Sequence, residues 1–234
     1  KSVTILSILR LIRPPGKIGG DSRVLFQGRN LLALDEKTLN RIRGRHVSMI
    51  FQEPSASFNP LFTVGAQIAE VLRVHQNLPK QAALARAEEL LDRVGIPNPD
   101  RRARDFPFQL SGGMLQRAMI ATAIACSPEV LLADEPTTAL DPTTQIRIRE
   151  LLKEMSARSR MGMIFVTHDP VIALLTKKRV IMENGAVKMV LYRSELEIGA
   201  AQNLLELDNR VGVIRESLRA GKTITKELVA ANFC

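Results

Sequence analysis

The chain has 234 residues but only two cysteines, Cys126 and Cys234. Two cysteines make neither a disulfide framework nor a Cys-rich metal site, so the composition favours a reducing, cytosolic compartment. Tryptophan is absent and aromatic residues make up only 4% of the chain, which argues against a base-stacking surface for nucleic acid. No apolar run reaches the roughly 18 residues that a bilayer crossing needs. We therefore expect any membrane association to come through a partner.

Positive charge is in excess, because 33 Lys and Arg residues against 24 Asp and Glu residues give a net charge of +9. This charge suits nucleic acid, an anionic membrane surface or nucleotide phosphates, and does not choose among them. The chain begins with Lys1 and an amphipathic helix pattern from Val3 to Ile12, which Pro14-Pro15 ends. The cleavage site of a secretory signal is missing, and we interpret the start as a cut through a larger unit.

Strand and helix patterns alternate in two parts of the chain, which predicts a mostly parallel α/β sheet with its ligand site at the strand carboxyl ends. Asp35 is expected to cap a short helix, and Asn184-Gly185 to form a hairpin turn into a last strand at 186–191. Helices are also expected at 143–155 and shortly after Asp169. The other predicted strands are 23–27, 47–51, 130–133, 163–167 and 179–182.

Between these two parts the apolar period is helical from 63 to 94, with a break at Pro79. No strand pattern returns before Val130, which predicts an inserted helical subdomain. The predicted organisation is an α/β core at 1–62 and 127–192, the helical subdomain at 63–126, and a helical C-terminal appendage at 193–234.

The stretch from 109 to 141 carries the chemistry. A polar turn, Leu110 to Gly113, opens a helical segment, and small residues there leave backbone N–H groups and the helix dipole open to an anion. An apolar run then ends in adjacent acids, Asp134 and Glu135. Acids at the end of a buried strand suit a magnesium ion and an attacking water. The stretch therefore predicts a phosphate cradle and hydrolytic carboxylates.

Three motifs in this order carry a family resemblance: LSGGMLQR at 110–117, VLLADEP at 130–136 and TALD at 138–141. With Gln52 upstream and His168 downstream, the chain resembles the nucleotide-binding subunit of an ATP-binding cassette (ABC) transporter. Two segments, FQEPSASFNP and FPFQLSGGMLQR, are most similar to those of the dipeptide and oligopeptide importer branch. The resemblance implies a P-loop NTPase (RecA-like) fold whose mostly parallel sheet is interrupted by a helical subdomain.

The resemblance also implies roles for single residues. Glu135 would be the general base that polarises the attacking water, and Asp134 would hold magnesium. Gln52 would touch the metal or the water, and His168 would contact the γ-phosphate.

Further nucleotide contacts are implied at both ends of the resemblance. Lys1 and Ser2 look like the last two residues of a G-x-x-x-x-G-K-[ST] phosphate loop, so Lys1 would meet the β- and γ-phosphates and Ser2 the magnesium. The remaining nucleotide-binding residues, several of which would face the ATP of a second subunit, are Ser111, Gly112, Gly113, Gln116 and Asp141.

The implied function is ATP binding and hydrolysis in an importer for peptides or similar small solutes, with Mg²⁺ as cofactor and ATP-dependent dimer closure driving transport. The implied partners are a second ABC ATPase subunit, two transmembrane permease subunits and an extracytoplasmic solute-binding protein, with no direct nucleic acid. The chain would lie at the cytoplasmic face of the membrane. Two alternatives stay open: a soluble ABC ATPase acting on nucleic acid or the ribosome, which the +9 charge would suit, and a non-catalytic truncated paralogue.

Each site residue also has an ordinary interpretation when taken alone. Asp134-Glu135 could cap a helix, His168 could be a loop histidine, and Gln52 could be a surface glutamine. Only the ordered set of motifs favours the catalytic interpretation.

We expect residues 1–234 to bind MgATP poorly, because the glycines of the phosphate loop and the strand before them are not among these residues. Each charge-assisted backbone hydrogen bond contributes roughly 1.5–3 kcal/mol, so the loss of even three lowers affinity by several powers of ten. Isothermal titration measures this affinity. A micromolar dissociation constant for residues 1–234 would contradict the expectation.

Overall fold

The computed structural model of the chain describes residues 1–159, 161–167, 176–183 and 186–192. The chain divides into two compact units, of which the larger is Ser2–Val166 and the smaller comprises Lys1 and Thr167–Cys234. None of the helices in the described ranges combines the length and the apolar character that a bilayer crossing requires.

The larger unit contains helices and short strands that follow one another in the predicted alternation. Its helices in the described residues are α1 Ser2–Ile8, α2 Glu36–Ile42, α3 Pro54–Ser57, α4 Val64–Gln76, α5 Lys80–Arg93, α6 Pro99–Arg102, α7 Gly112–Ile124 and α8 Pro142–Ser159. Its strands are β1 Leu25–Phe26, β2 Arg29–Asn30, β3 Val47–Ile50, β4 Val130–Asp134 and β5 Gly162–Val166.

Side-chain caps explain where several of these helices begin. The predicted cap Asp35 accepts the backbone N–H of Thr38 at 2.9 Å, which confirms that prediction. Thr63 does the same for Ala66 at the start of α4, at 3.4 Å. Each cap satisfies one of the backbone donors that a first helical turn leaves unpaired, so the local sequence fixes these boundaries.

The N-terminal helix is shorter than its apolar pattern predicted. It ends at Ile8 because Arg10 adopts a left-handed backbone with φ 54°, and Leu11 N–H then bonds to the Leu6 carbonyl at 2.9 Å. The guanidinium of Arg43 donates two hydrogen bonds, of 3.0 and 2.7 Å, to the Leu9 carbonyl. A distant side chain therefore satisfies the end of the helix, which local periodicity does not reveal.

The single strand predicted at 23–27 is wrong. Only Leu25–Phe26 is a strand, and it pairs antiparallel with Arg29–Asn30. The chain reverses at Gln27 and Gly28, which both have positive φ, 49° and 77°. Glycine tolerates this conformation, and the resulting tight turn leaves no room for a longer strand.

A three-stranded sheet with the order β3-β4-β5 forms the centre of the unit, and both pairs of strands are parallel as predicted. In the register, Ile50 lies opposite Ala133, and Asp134 lies opposite Val166. The middle strand β4 is hydrogen-bonded on both sides, and its residues 131–133 have no exposed surface. A continuous apolar run is what a strand with two covered faces requires.

Different groups of side chains cover the two faces of this sheet. On one face Ile5 and Leu9 pack with Val47, Met49 and Leu132. On the other face a larger buried cluster joins Leu131 and Ala133 to Ile120 of α7 and Ile148 of α8. Each Å² of apolar surface removed from water contributes about 25 cal/mol. Burial of apolar side chains on both faces therefore stabilises β4 and holds it in one register.

The helical segment follows its predicted course, with α4 and α5 separated at Pro79 and α7 starting after Ser111. Leu72 of α4 and Leu90 of α5 belong to the same buried cluster as the sheet residue Leu131. The domain boundaries proposed from the sequence stay a prediction.

In the smaller unit, the described strands are β6 Lys178–Glu183 and β7 Ala186–Tyr192, which pair antiparallel. This agrees with the predicted strands at 179–182 and 186–191. The predicted turn at Asn184-Gly185, the short helix after Asp169 and the helical appendage at 193–234 lie outside the described residues.

Two glycines in the first turns of helices give opposite expectations for substitution by alanine. An added Cβ on Gly65 of α4 would lie 2.7 Å from the Ala103 carbonyl oxygen, whereas one on Gly112 of α7 would meet nothing within 4 Å. We expect Gly65→Ala to lower the free energy of unfolding by about 1–3 kcal/mol. Gly112→Ala is expected to leave it unchanged or raise it by up to about 1 kcal/mol.

Urea unfolding of the two variants beside the parent chain measures both effects. Equal stability of Gly65→Ala and Gly112→Ala would contradict the close approach of α4 to Ala103.

Candidate functional site

The carboxyl ends of the parallel strands bring two predicted site regions to one edge of the sheet. Gln52 lies two residues beyond Ile50, the last residue of β3, and is exposed. Asp134 ends β4, whose Ala133 pairs with that same Ile50. Gln52 and the Asp134-Glu135 pair therefore leave neighbouring strands at the same edge, as expected for a ligand site of a parallel sheet. The third predicted residue, His168, lies outside the described residues.

Asp134 is a buried carboxylate, one oxygen of which makes no hydrogen bond to the described residues. It is only 3% exposed, and its Oδ1 atom has no hydrogen-bond partner among the described residues. A buried, unpaired carboxylate oxygen costs free energy, and a hard divalent cation with oxygen ligands would relieve that cost. The position therefore fits the predicted magnesium ligand.

Glu135 is held in an unusual backbone conformation directly after this strand. Its φ is 48°, which is left-handed, and its N–H donates to the Val166 carbonyl at 2.8 Å. Thr138 Oγ1 donates to the Glu135 carboxylate Oε2 at 3.1 Å and lies equally near the Glu135 carbonyl. The chain thus turns sharply out of the sheet and presents a carboxylate that a neighbouring hydroxyl orients.

The start of α7 offers backbone donors to open space. The Ser111 side chain accepts the N–H of Met114 at 3.3 Å, and both Ser111 and Gly112 are exposed. Gly113 lies close to the loop after β4, since a Cβ added to it would lie 3.3 Å from the Ala139 carbonyl oxygen. The helix start keeps free N–H groups and the positive end of the helix dipole at this surface, which suits an anion.

Gln116 has surroundings different from those of a surface ligand. It is 1% exposed, its Nε2 donates to the Pro136 carbonyl at 2.6 Å, and its Oε1 accepts the N–H of Ala139 at 3.0 Å. The amide contacts the protein's own loop. The nucleotide contact predicted for Gln116 finds no support in this geometry, because the amide is already bonded and closed off from solvent.

Asp141 caps α8 and is exposed. Its Oδ1 accepts the N–H of Thr144 at 3.0 Å. Hydrogen bonds from the side chain and then the backbone of Thr144 hold the pKa of the Asp141 carboxyl below its usual value. The carboxylate is therefore negative at neutral pH, at the outer end of the loop that begins with Glu135.

Arg117 joins α7 to the end of α5. Its guanidinium donates to the carbonyls of Gly113, at 3.2 Å, and Gly95. Burial lowers the pKa of this guanidinium, and the negative charge of Asp141 opposes the shift. The arginine stays charged at neutral pH and satisfies one carbonyl in its own helix and one in the turn that follows α5.

Two residues predicted to contact phosphate and magnesium, Lys1 and Ser2, lie at the start of helix α1. Lys1 is exposed and Ser2 begins α1, and Ile5 of α1 and Leu9 just after it pack against the sheet. Their roles toward phosphate and magnesium stay predictions.

The sequence patterns missed two residues at the site, Thr138 and Gln145. Gln145 Nε2 donates to the carbonyls of Thr137 and Leu140, both at 3.1 Å. Thr138 follows Glu135 by three residues, a spacing at which a hydroxyl reaches back to a preceding residue of a turn. That spacing is the one local signal that could have indicated the Thr138 contact.

Residues 1–138 match the ABC transporter family. The chain belongs to this family. It is 49% identical over 203 residues to a Brucella melitensis protein provisionally named a peptide import ATP-binding protein, covering 81% of this chain and 60% of that protein. It is 44% identical over 199 residues to the oligopeptide transport ATP-binding protein OppD of Bacillus subtilis, with 82% and 56% covered. This ABC family chain thus spans 60% or less of the length of these two relatives.

The fold is also similar to that of a solved ABC cassette. The dimeric ATP-binding cassette MJ0796, in a post-hydrolysis state bound to ADP and Pi, superposes with a TM-score of 0.73 and 28% identity. The match covers 82% of this chain and 79% of that one. The predicted class, an α/β P-loop NTPase fold of the ABC type, is therefore confirmed.

The left-handed backbone at Glu135 predicts a difference between two substitutions. Glu135→Gly and Glu135→Ala both remove the carboxylate and its contact with Thr138, so they differ in backbone freedom. A left-handed conformation costs an L-residue about 1–2 kcal/mol, and the larger unfolded freedom of glycine offsets about 0.5–1 kcal/mol of this.

We therefore expect Glu135→Gly to be more stable than Glu135→Ala, by up to about 1.5 kcal/mol. Parallel denaturant titrations measure the difference. If the alanine variant is the more stable of the two, the strained turn after β4 is not present in solution.

Proposed function

We propose that this chain is the ATP-binding and ATP-hydrolysing part of an ABC importer for peptides or similar small solutes. The observation that carries the proposal is the pairing of an unsatisfied buried carboxylate, Asp134, with an oriented one, Glu135, at the carboxyl edge of a parallel sheet. The relatives named for peptide and oligopeptide import support the solute class.

The two adjacent acids suit different tasks because their surroundings differ. Asp134 is enclosed and lacks a partner for Oδ1 among the described residues, so it is the proposed magnesium ligand, with Gln52 and Ser2 completing the set. When bound, Mg²⁺ would neutralise charge on the phosphate oxygens of ATP. Glu135 is half-buried and is the proposed general base, accepting a proton from the attacking water at its carboxylate.

Phosphoryl transfer depends on positioning and charge more than on covalent chemistry. Gln52 would orient the water or the metal from the neighbouring strand end, and His168 would contact the γ-phosphate. Lys1 would add positive charge beside the β- and γ-phosphates.

The surface formed by Ser111, Gly112, Gly113 and Asp141 serves a different nucleotide in this proposal. The start of α7 is open to solvent, so its N–H groups would bind the γ-phosphate of ATP held by a second ABC ATPase subunit. A phosphate bridging two subunits makes their closure depend on ATP, and its hydrolysis reopens them. The dimeric state of the similar cassette MJ0796 supports this arrangement.

The remaining partners follow from the importer assignment. Two transmembrane permease subunits would carry the solute, an extracytoplasmic solute-binding protein would deliver it, and this subunit would lie peripherally at the cytoplasmic face of the membrane. Co-purification with membrane subunits would support this assignment, whereas salt-sensitive binding of nucleic acid would favour a soluble ABC ATPase instead.

The proposed base gives a direct prediction for the full-length ATPase subunit. Glu135→Gln removes the proton acceptor but keeps the size of the side chain, so we expect ATP to bind while turnover falls by about a hundredfold or more. The closed dimer should then accumulate with MgATP, which size-exclusion chromatography detects.

Glu129→Gln is the matched control, because Glu129 is an exposed glutamate just before the opposite end of β4. It should retain wild-type turnover. Wild-type turnover in Glu135→Gln would instead remove Glu135 as the base.

A further inference from the structure

Gln116 makes the most complete set of side-chain contacts between α7 and the loop after β4. Its Nε2 donates to the carbonyls of Pro136, at 2.6 Å, and Glu135, at 3.3 Å. Its Oε1 accepts the N–H of Ala139 at 3.0 Å. One amide therefore contacts both the beginning and the end of the five-residue segment 135–139, which we call the base loop.

The same helix touches the base loop a second time. Gly113 approaches so closely that an added Cβ would lie 3.3 Å from the Ala139 carbonyl oxygen. Both groups of Ala139 thus face α7, the N–H toward Gln116 and the carbonyl toward Gly113. The anion-facing start of α7 and the base loop are therefore in direct contact at two successive turns of the helix.

A second glutamine holds the neighbouring carbonyls but belongs to another element. Gln145 on α8 donates to Thr137 and Leu140, at 3.1 Å each. It lies only a few residues beyond the base loop, so its bonds stabilise the local turn. Gln116 reaches the base loop across 19 to 23 residues of chain and joins two separate elements.

We propose that Gln116 is a positioning residue that makes the general-base loop and the start of α7 move as one body. The inference rests on the proposed ATPase function and deepens it. The orientation of Glu135 at its own nucleotide would be set by the position of Ser111 to Gly113, which face the nucleotide of the second subunit. Hydrolysis in one site would then respond to occupancy of the facing site through this amide.

The mechanical part of the proposal can be tested on residues 1–234 without nucleotide. Gln116→Met keeps the side-chain length but leaves the Pro136 carbonyl and the Ala139 N–H without partners. Hydrogen–deuterium exchange should become about tenfold faster in the base loop. The β4 peptide 130–134 should change by less than about twofold.

Gln145→Met is the matched comparison, because it removes two side-chain hydrogen bonds from the same turn but leaves the link to α7 intact. In this variant the exchange of the first turn of α7, 112–115, should stay at the parent rate, whereas in Gln116→Met it should rise with that of the base loop. Unchanged exchange of the base loop in Gln116→Met would overturn the proposal, and so would identical exchange patterns in the two variants.

The catalytic part is tested in the full-length subunit. Gln116→Met should lower kcat by about tenfold to a hundredfold, with KM for ATP within about twofold of the parent value. Gln116→Asn keeps an uncharged amide that is one methylene shorter, so it can retain part of this hydrogen bonding and should give a smaller decrease. Gln116→Asn also provides a folded comparison if the methionine variant is unstable, because it places no apolar side chain against the buried Pro136 carbonyl and introduces no charge.

The outcomes separate this inference from the proposed function. A parent kcat in folded Gln116→Met would overturn the positioning role, and so would a loss confined to KM. A full-length parent subunit without ATPase activity would overturn the proposed function and the catalytic part of this inference, whereas the exchange experiment would still decide whether Gln116 joins the two elements.

Discussion

The rest of this structure depends on the position of strand β4 in the middle of the sheet. This strand is bonded to a parallel strand on each side and covered by side chains on both faces. Because side chains alternate along a strand, a slip by one residue would exchange the two apolar faces and displace the acids at its end. The same pairing that stabilises the core thus places Asp134 beside the exit of β3.

The two ends of β4 have opposite characters. At its beginning, the His46 carbonyl accepts the N–H groups of both Glu129 and Val130, at 2.9 and 3.0 Å, and Glu129 is paired with the ring of His46. At its end, a buried carboxylate oxygen lacks a partner among the described residues. The satisfied end fixes the strand, and the unsatisfied end is available to a ligand. Strain and unmet polar groups concentrated at one end of a stable element are typical of functional sites.

Much of this arrangement follows from local sequence. The apolar run of β4, the caps Asp35 and Ser111 and the break at Pro79 each act over a few residues, so patterns in the sequence predict the elements they define. One error occurred where a distant group decides the outcome, and the other where the backbone conformation of a local turn does. Arg43 completes the end of α1 from 34 residues away, and the reversal at Gln27 depends on backbone angles that composition alone does not give.

The site shows the same division. The sequence predicts two parts of the site, the adjacent acids after an apolar run and the Ser-Gly-Gly start of a helix. Each is a local pattern with one physical meaning. The sequence does not predict the burial of Gln116, because that burial depends on how the loop after β4 folds back across α7, a helix that precedes it in the chain. The resemblance of the LSGGMLQR segment implies a role for Gln116, but only the structure shows which groups its amide bonds.

The left-handed backbone of Glu135 affects which residue type is most stable at this position, as well as the direction of the chain. Glycine and asparagine adopt this conformation with less strain than glutamate does, so folding stability alone would favour one of them at the turn. Arg10 and Gln27 adopt the same conformation without a proposed chemical role, whereas at Glu135 the proposed role of the carboxylate would offset the cost. The turn after β4 is therefore a position at which folding stability and the proposed chemistry favour different residues.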